Sequence, residues 1–332
     1  FSIASKFALL TCVYLVVGPV SQACSAQFAG AGLTAWLDDY FLSQLSVLGI
    51  PGAAIVAVNS EGAVLARGFG TGDPVAHRPV DPEETVFPVA SVSKIVTAVA
   101  VLQQVERGLD LDAPLASLGV GQYVGSRSAE ISVRHLLTHT AGFDDRIIGT
   151  LGARPERLPS LDRYLASAPM QPIGPPGLEV VYSNDGFVLA ARVIERLEQE
   201  TFSRLAAKRI FQPLDMKRTS FTPSAKGGQS SAVGHYLEGA QTKRVDKPYC
   251  VLGYPAGGLS TTAADMARLL QALLGGGVLH RVRILERESV DEMFRQQFTH
   301  DRRLPGMAIA LAEYFRNGER ALVQTGSLPG FG

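Results

Sequence analysis

The segment Thr85-Val86-Phe87-Pro88-Val89-Ala90-Ser91-Val92-Ser93-Lys94 limits what this chain can fold into more than any other. It starts as an extended run and turns helical, because Ile95, Ala98, Val101, Leu102 and Val105 recur on one helical face. Ser91 therefore stands where a helix opens, near first-turn N–H groups without intrahelical partners and at the positive end of the helix dipole. Lys94, three residues on, shares its face. A hydroxyl becomes a strong nucleophile when a neighbouring base takes its proton, and an amine kept neutral by burial can be that base. An isolated S-x-x-K also arises as a serine cap followed by a surface lysine, so the rest of the chain has to decide.

The 332 residues leave room for a large core. A hydrophobic fraction of 46% and a charged fraction of 19% are those of an ordinary globular protein. The formal net charge of zero gives no electrostatic reason to expect nucleic acid or an anionic membrane, which leaves a small molecule as the expected partner. Residues 1–26 differ from the rest: Lys6 precedes the uncharged run Phe7–Val17, then Gly18-Pro19 and a small-residue stretch ending at Ala26. That run is short for a bilayer span and fits a secretory signal peptide. The expectation is an exported protein, periplasmic or extracellular, anchored to a membrane if the segment stays uncleaved. Cleavage after Ala23 or Ala26 leaves one or two of Cys12, Cys24 and Cys250, so no disulfide framework is indicated, and Cys250 reads as a small buried hydrophobe. Phe1 and the Gly-rich turn at Gly332 read as the ends of a fragment.

From residue 27 onward the pattern describes one domain. Leu33, Trp36, Leu37, Tyr40, Phe41, Leu45 and Leu48 mark an amphipathic helix closed by Gly49 and Pro51. Residues 52–58 and 63–69 then form a β-hairpin. A mostly helical insertion over about residues 95–250 holds a short helix at Leu136-Leu137 capped by Ser132, and a longer one marked by Phe187, Leu189, Ala190, Val193, Ile194 and Leu197. Pro169, Pro172, Pro175, Pro176 and Gly177 force an irregular segment that leads into Tyr182-Ser183-Asn184. Another helix follows Gly257–Thr262, and strands return at residues 307–311 and 321–324, joined through Asn317-Gly318. The expected class is α/β (α+β), with one antiparallel sheet flanked by helices and interrupted by the helical insertion.

Two further segments carry chemistry. Tyr182 and Asn184 lie two residues apart, on one side of an extended stretch, in a chain whose only other asparagines are Asn59 and Asn317. Near the end, Gln324-Thr325-Gly326-Ser327 is a strand end that can expose a backbone N–H toward an oxyanion. In this order, S-x-x-K, Y-x-N and x-T-G resemble the serine hydrolases of the beta-lactamase and penicillin-binding-protein superfamily, particularly the class C beta-lactamase-like esterases and peptidases. The resemblance takes in residues 135–142 (HLLTHTAG), 213–219 (PLDMKRT) and 256–266 (AGGLSTTAADM), and extends over roughly residues 30 to 332.

The resemblance implies a beta-lactamase/transpeptidase-like fold and an acyl-enzyme mechanism that uses no metal or other cofactor. It makes Ser91 the nucleophile and Lys94 the amine that accepts its proton. Tyr182, as phenolate or hydrogen-bond relay, would protonate the leaving group and activate the deacylating water. Asn184 would hold the acyl portion of the substrate, Thr325 would line the cleft, and the N–H groups of Ser91 and Ser327, beside Gly326, would form the oxyanion hole. Gln324 stands where the family usually has Lys or His, which favours an ester or amide without the carboxylate that such a cation would bind. The family also continues past this third motif with more strands and a closing helix, so a C-terminally truncated domain is expected. A beta-lactamase, a D-Ala-D-Ala peptidase and a non-catalytic scaffold on the same fold are the alternatives.

Other features have simpler explanations. His135 and His139 are four residues apart, but Leu136 occupies the position where a zinc protease needs Glu, so hydrogen bonding that fixes a loop is expected of both. Asp144 and Asp145 read as a solvated turn, and Gly68, Gly70 and Gly72 as turn glycines.

Overall fold

The computed structural model describes residues 31–59, 62–152, 158–221, 230–238, 241–245 and 249–332. The expected signal peptide, residues 1–26, lies outside the described residues. Helix α1 (Ala31–Leu48) stops at Gly49, whose φ of 63° suits glycine. The chain then forms strands β1 (Gly52–Val58) and β2 (Ala63–Asp73), paired antiparallel from Gly52↔Gly70 onward, with β3 (Arg78–Pro79) on the far side of β2. Phe41 of α1 stacks on Phe69 of β2 at 4.8 Å, and Leu45 packs with Ala53 in a small separate core. The helix is thereby tied to the hairpin.

Helix α2 (Ser93–Val105) follows a 3-10 turn at Ala90–Val92. Its periodicity predicts one apolar face, yet every residue from Ser93 to Gln104 is buried. A helix enclosed on all sides is the centre of a fold, and the main hydrophobic cluster is built around it. Short helix α3 (Val133–Leu137) has the expected Ser132 cap, reinforced by the His135 side chain in a capping box. Helix α4 (Asn184–Glu198) packs across both α2 and α3. The four-residue helix Tyr254–Gly257 also lies on α2, where Thr97 Oγ1 donates to the Pro255 carbonyl at 2.7 Å. Helix α5 (Ala263–Leu274) opens on Thr262, whose side chain accepts from the Asp265 N–H, and runs along β1.

The proline-rich segment runs beside residues 139–144: Val181 N donates to the His139 carbonyl at 2.7 Å, Gly177 N to Thr140 at 2.7 Å and Asp144 N to Gln171 at 3.0 Å. Gly142 allows the close approach, since a Cβ there would come within 2.3 Å of the Gly174 carbonyl oxygen. These bonds bring Tyr182 to the start of α4.

Two expectations about strands need correction. The run 307–311 is not one strand: β4 (Met307–Ala308) breaks at Ile309-Ala310, and β5 (Leu311–Arg316) begins after it. Ala310 has a φ of 61°, and Ile309 and Ala310 donate to the carbonyls of Met293 and Leu137, so the bend serves packing on the helices. β5 turns back through Asn317-Gly318, both at positive φ, into β6 (Glu319–Val323). The single interrupted sheet is likewise two three-stranded antiparallel sheets, ordered β1-β2-β3 and β4-β5-β6, beside smaller two-stranded ladders. β1 and β6 are both edge strands, and no ladder joins them among the described residues.

Candidate active site

The turn that carries Ser91 is held from three sides. Val89 N donates to the Leu259 carbonyl at 3.0 Å. Buried Ser93 donates its hydroxyl to the Ala90 carbonyl at 2.5 Å and accepts from Leu259 N at 2.9 Å. Ala90 has a φ of 48°, a left-handed conformation uncommon for a residue with a Cβ. Gly326 closes the third side. A Cβ on it would lie 2.4 Å from the Val89 carbonyl oxygen and 3.1 Å from Ser91 N, so only glycine lets this extended stretch come so near. Thr325 and Ser327 alternate to the exposed side, and Gln324 is buried with its Nε2 donating to the Thr325 carbonyl at 2.8 Å. The Gln324 side chain is thus spent on its own strand.

Lys94 has no solvent exposure. Its Nζ donates to three acceptors: Ser91 Oγ at 2.9 Å, Asn184 Oδ1 at 2.7 Å and the Ala256 carbonyl at 2.8 Å. Burial pushes the ammonium down to about 7, opposed in part by the negative charge of Asp145. A neutral amine keeps two N–H donors and one lone pair. The Asn184 and Ala256 oxygens can only accept, so they take the two donors and leave the lone pair toward Ser91, the one partner with a proton to give.

Tyr182 Oη lies 2.6 Å from Ser91 Oγ. The residue is exposed at 42%, yet the protein around its hydroxyl raises the phenol to about 12 by desolvation, against the opposing hydrogen bond from Ser91. At neutral pH this geometry favours a phenol over the phenolate that the resemblance allows. The ring stacks on His139 at 4.3 Å. His139 Nδ1 accepts from Ser183 N at 3.1 Å, and burial, followed by the charge of Lys94, pushes the imidazole down to about 3, so it remains neutral with its proton on Nε2. His135 accepts instead from the Ser132 N–H, and the two imidazoles serve separate backbone segments.

The Ser183 side chain caps α4, accepting from Gly186 N at 3.4 Å, and Asn184 occupies the first helical position instead of the cap. Asn184 faces inward. Its Oδ1 meets Lys94 and its Nδ2 reaches Asp145 at 3.0 and 3.2 Å, so the carboxamide is engaged inside the protein, where the resemblance had it holding substrate. Asp145 is the residue that sequence reasoning missed. It is half-buried, not a solvated turn, and accepts from Asn184 N at 2.8 Å as well. Nothing but its place after the His139–Phe143 stretch pointed to it, since its partner is 39 residues away.

Ser91, Lys94 and Tyr182, from three segments, thus share one hydrogen-bonded cluster, with Gly326 against the Ser91 backbone. A family profile described as beta-lactamase matches residues 38–328. The chain belongs to this beta-lactamase family of serine hydrolases. It is 33% identical over 232 residues to a beta-lactamase of Yersinia enterocolitica, covering 68% of this chain and 55% of that one. It is 33% identical over 209 residues to esterase EstB of Burkholderia gladioli, covering 58% and 52%. It therefore spans about half the length of these two relatives. Among solved structures, the octameric penicillin-binding protein homologue from Pyrococcus abyssi superimposes with a TM-score of 0.75 at 25% identity, over 89% of this chain and 68% of that one.

The buried amine leaves a mark on stability. An unfolded lysine holds its proton to about 10.5, whereas folded Lys94 releases it near 7. Between these values the unfolded state binds more protons, so this residue's contribution to stability rises with pH, and below about 7 the penalty of burying the charge is present in full. Urea unfolding at steps from pH 7 to 10 should show wild type gaining on Lys94→Met by up to on the order of 4 kcal/mol. A pH-independent difference would contradict the depressed amine.

Proposed function

We propose that this chain belongs to an exported serine hydrolase that cleaves a small ester or amide through a covalent acyl-enzyme on Ser91. The observation that carries this reading is Lys94 Nζ at 2.9 Å and Tyr182 Oη at 2.6 Å from the same Ser91 oxygen. Neutral Lys94 takes the Ser91 proton as Oγ attacks the substrate carbonyl carbon. The oxygen of the tetrahedral intermediate gathers negative charge beside the N–H groups of Ser91 and Ser327. Tyr182 hands a proton to the departing alcohol or amine and recovers one from the Lys94 ammonium itself, since Ser91 Oγ now carries the acyl group and has no proton to relay. In deacylation an attacking water gives its proton to Tyr182, which passes its own to Lys94, and Lys94 returns one to Ser91 Oγ as the acid is released.

Gln324 directs the choice of substrate. Its side chain is neutral and turned onto Thr325, so it offers no cation to a substrate carboxylate. A carboxylester or other simple acyl donor fits best, followed by a D-amino-acid peptide and then a beta-lactam. The relatives named beta-lactamase and esterase stand at equal identity and do not separate these. Export rests on Lys6 and the apolar run Phe7–Val17. No helix among the described residues is long and apolar enough to cross a membrane.

With p-nitrophenyl esters, a chromogenic cephalosporin and a D-Ala-D-Ala peptide as donors, intact-mass measurement should find an acyl adduct that Ser91→Ala abolishes, with turnover falling about a thousandfold or more. Absence of adduct and turnover with every donor would favour a non-catalytic scaffold. Gln324→Lys should raise kcat/KM roughly tenfold on carboxylate-bearing donors and leave uncharged esters unchanged. Equal effects on both kinds of donor would remove charge at this position from the explanation.

A further inference from the structure

Asp145 stands at the far end of a line of contacts that begins at Lys94. It accepts from Asn184 N at 2.8 Å and from Asn184 Nδ2 on both of its oxygens. An ionised carboxylate only accepts, so the NH₂ end of the amide must face it and the oxygen end must face Lys94 Nζ, 2.7 Å away. Turned over, the amide would set oxygen against carboxylate and NH₂ against an amine that also donates. Asp145 itself is fixed through its neighbours in the loop. Arg146 pairs with buried Asp185 and donates to Ser167 Oγ at 2.9 Å, and Asp144 N bonds to Gln171. Tyr164 donates to the same Asp185 carboxylate at 2.9 Å.

We propose that Asp145 is a positioning residue for Lys94, holding the Asn184 carboxamide oxygen on the amine and placing a negative charge behind it. The assignment rests on the role given above to Lys94 as the base for Ser91. The amide then cannot rotate to donate to Lys94, and the lone pair of the neutral amine is kept on Ser91.

The other groups around Lys94 leave Asp145 as the charge that matters. Tyr182 and His139, from the segments before α4 and after α3, are both neutral near pH 7. The charge of Asp185, on the first turn of α4, is matched by Arg146. From the helix Tyr254–Gly257, Lys94 receives only the Ala256 carbonyl, while the Tyr254 hydroxyl lies toward Glu195. Farther along α4, Glu198 is bound by Gln104, Arg107 and Arg209 at the opposite end of α2. On the helices Phe202–Ala206 and Arg287–Phe294, which also contact α2, Arg204 pairs with Glu200 and Glu292 with Arg134 and Arg295.

The test is an NMR titration of the full chain labelled at lysine Cε, with the Lys94 resonance assigned by its loss in Lys94→Met. Asp145→Asn keeps an acceptor for Asn184 but removes the charge, so the Lys94 midpoint should fall by about one unit, a tenfold drop in proton affinity. Asp145→Ser provides the same comparison should Asp145→Asn fail to fold, and Asp145→Glu should restore the midpoint toward wild type. A midpoint unmoved in the neutral variants overturns the assignment even where Ser91 is acylated normally. A shifted midpoint in a chain that never acylates supports the coupling and sinks only the hydrolase reading.

Discussion

The structure depends on keeping one lysine amine out of water. Lys94 sits on a helix enclosed on every side, so its side chain cannot extend to the surface, and a charge held there is penalised by several kcal/mol. Two responses are visible together. Three acceptors surround the amine, and its affinity for a proton falls until it is lost near neutral pH. The features nearby serve those responses: the short helix Tyr254–Gly257 brings the Ala256 carbonyl, Ser183 takes the cap so that Asn184 points inward, and Ser93 locks the turn that presents Ser91.

Much of this was legible in the residues, for identifiable reasons. A three-residue spacing on a helix puts two side chains on one face whatever the tertiary structure, so Ser91 and Lys94 could be paired from sequence. Tyr182 and Asn184 stood out because they recur together with that pair and with the Thr-Gly stretch in a known family. Caps and turns also followed from local chemistry, as at Ser132, Thr262 and Asn317-Gly318. What stayed hidden was set by contacts distant in the chain. Asp145 had no local pattern to separate it from a surface turn, the burial of the second face of α2 came from helices elsewhere, and the bend at Ala310 answers to Leu137 and Met293. The partition of strands into two sheets is non-local in the same sense.

The division between chemistry and substrate choice runs along the same line. The groups bonded around Ser91 form an internal network set by the fold, in a family whose named relatives include a beta-lactamase and an esterase. Thr325 and Ser327 alternate outward and Gln324 inward on one extended stretch. A substitution at Thr325 or Ser327 alters an exposed side chain without touching the network behind Ser91.

The central claim, that a buried amine turns Ser91 into a nucleophile near neutral pH, is tested most directly by the rate at which a fluorophosphonate labels Ser91 across the pH range. The labelling rate should rise sigmoidally through a midpoint near 7, the value to which burial brings Lys94, and Lys94→Met should label far more slowly at every pH. A rate that is flat through this range, or that climbs only near the ordinary lysine value of 10.5, would contradict it.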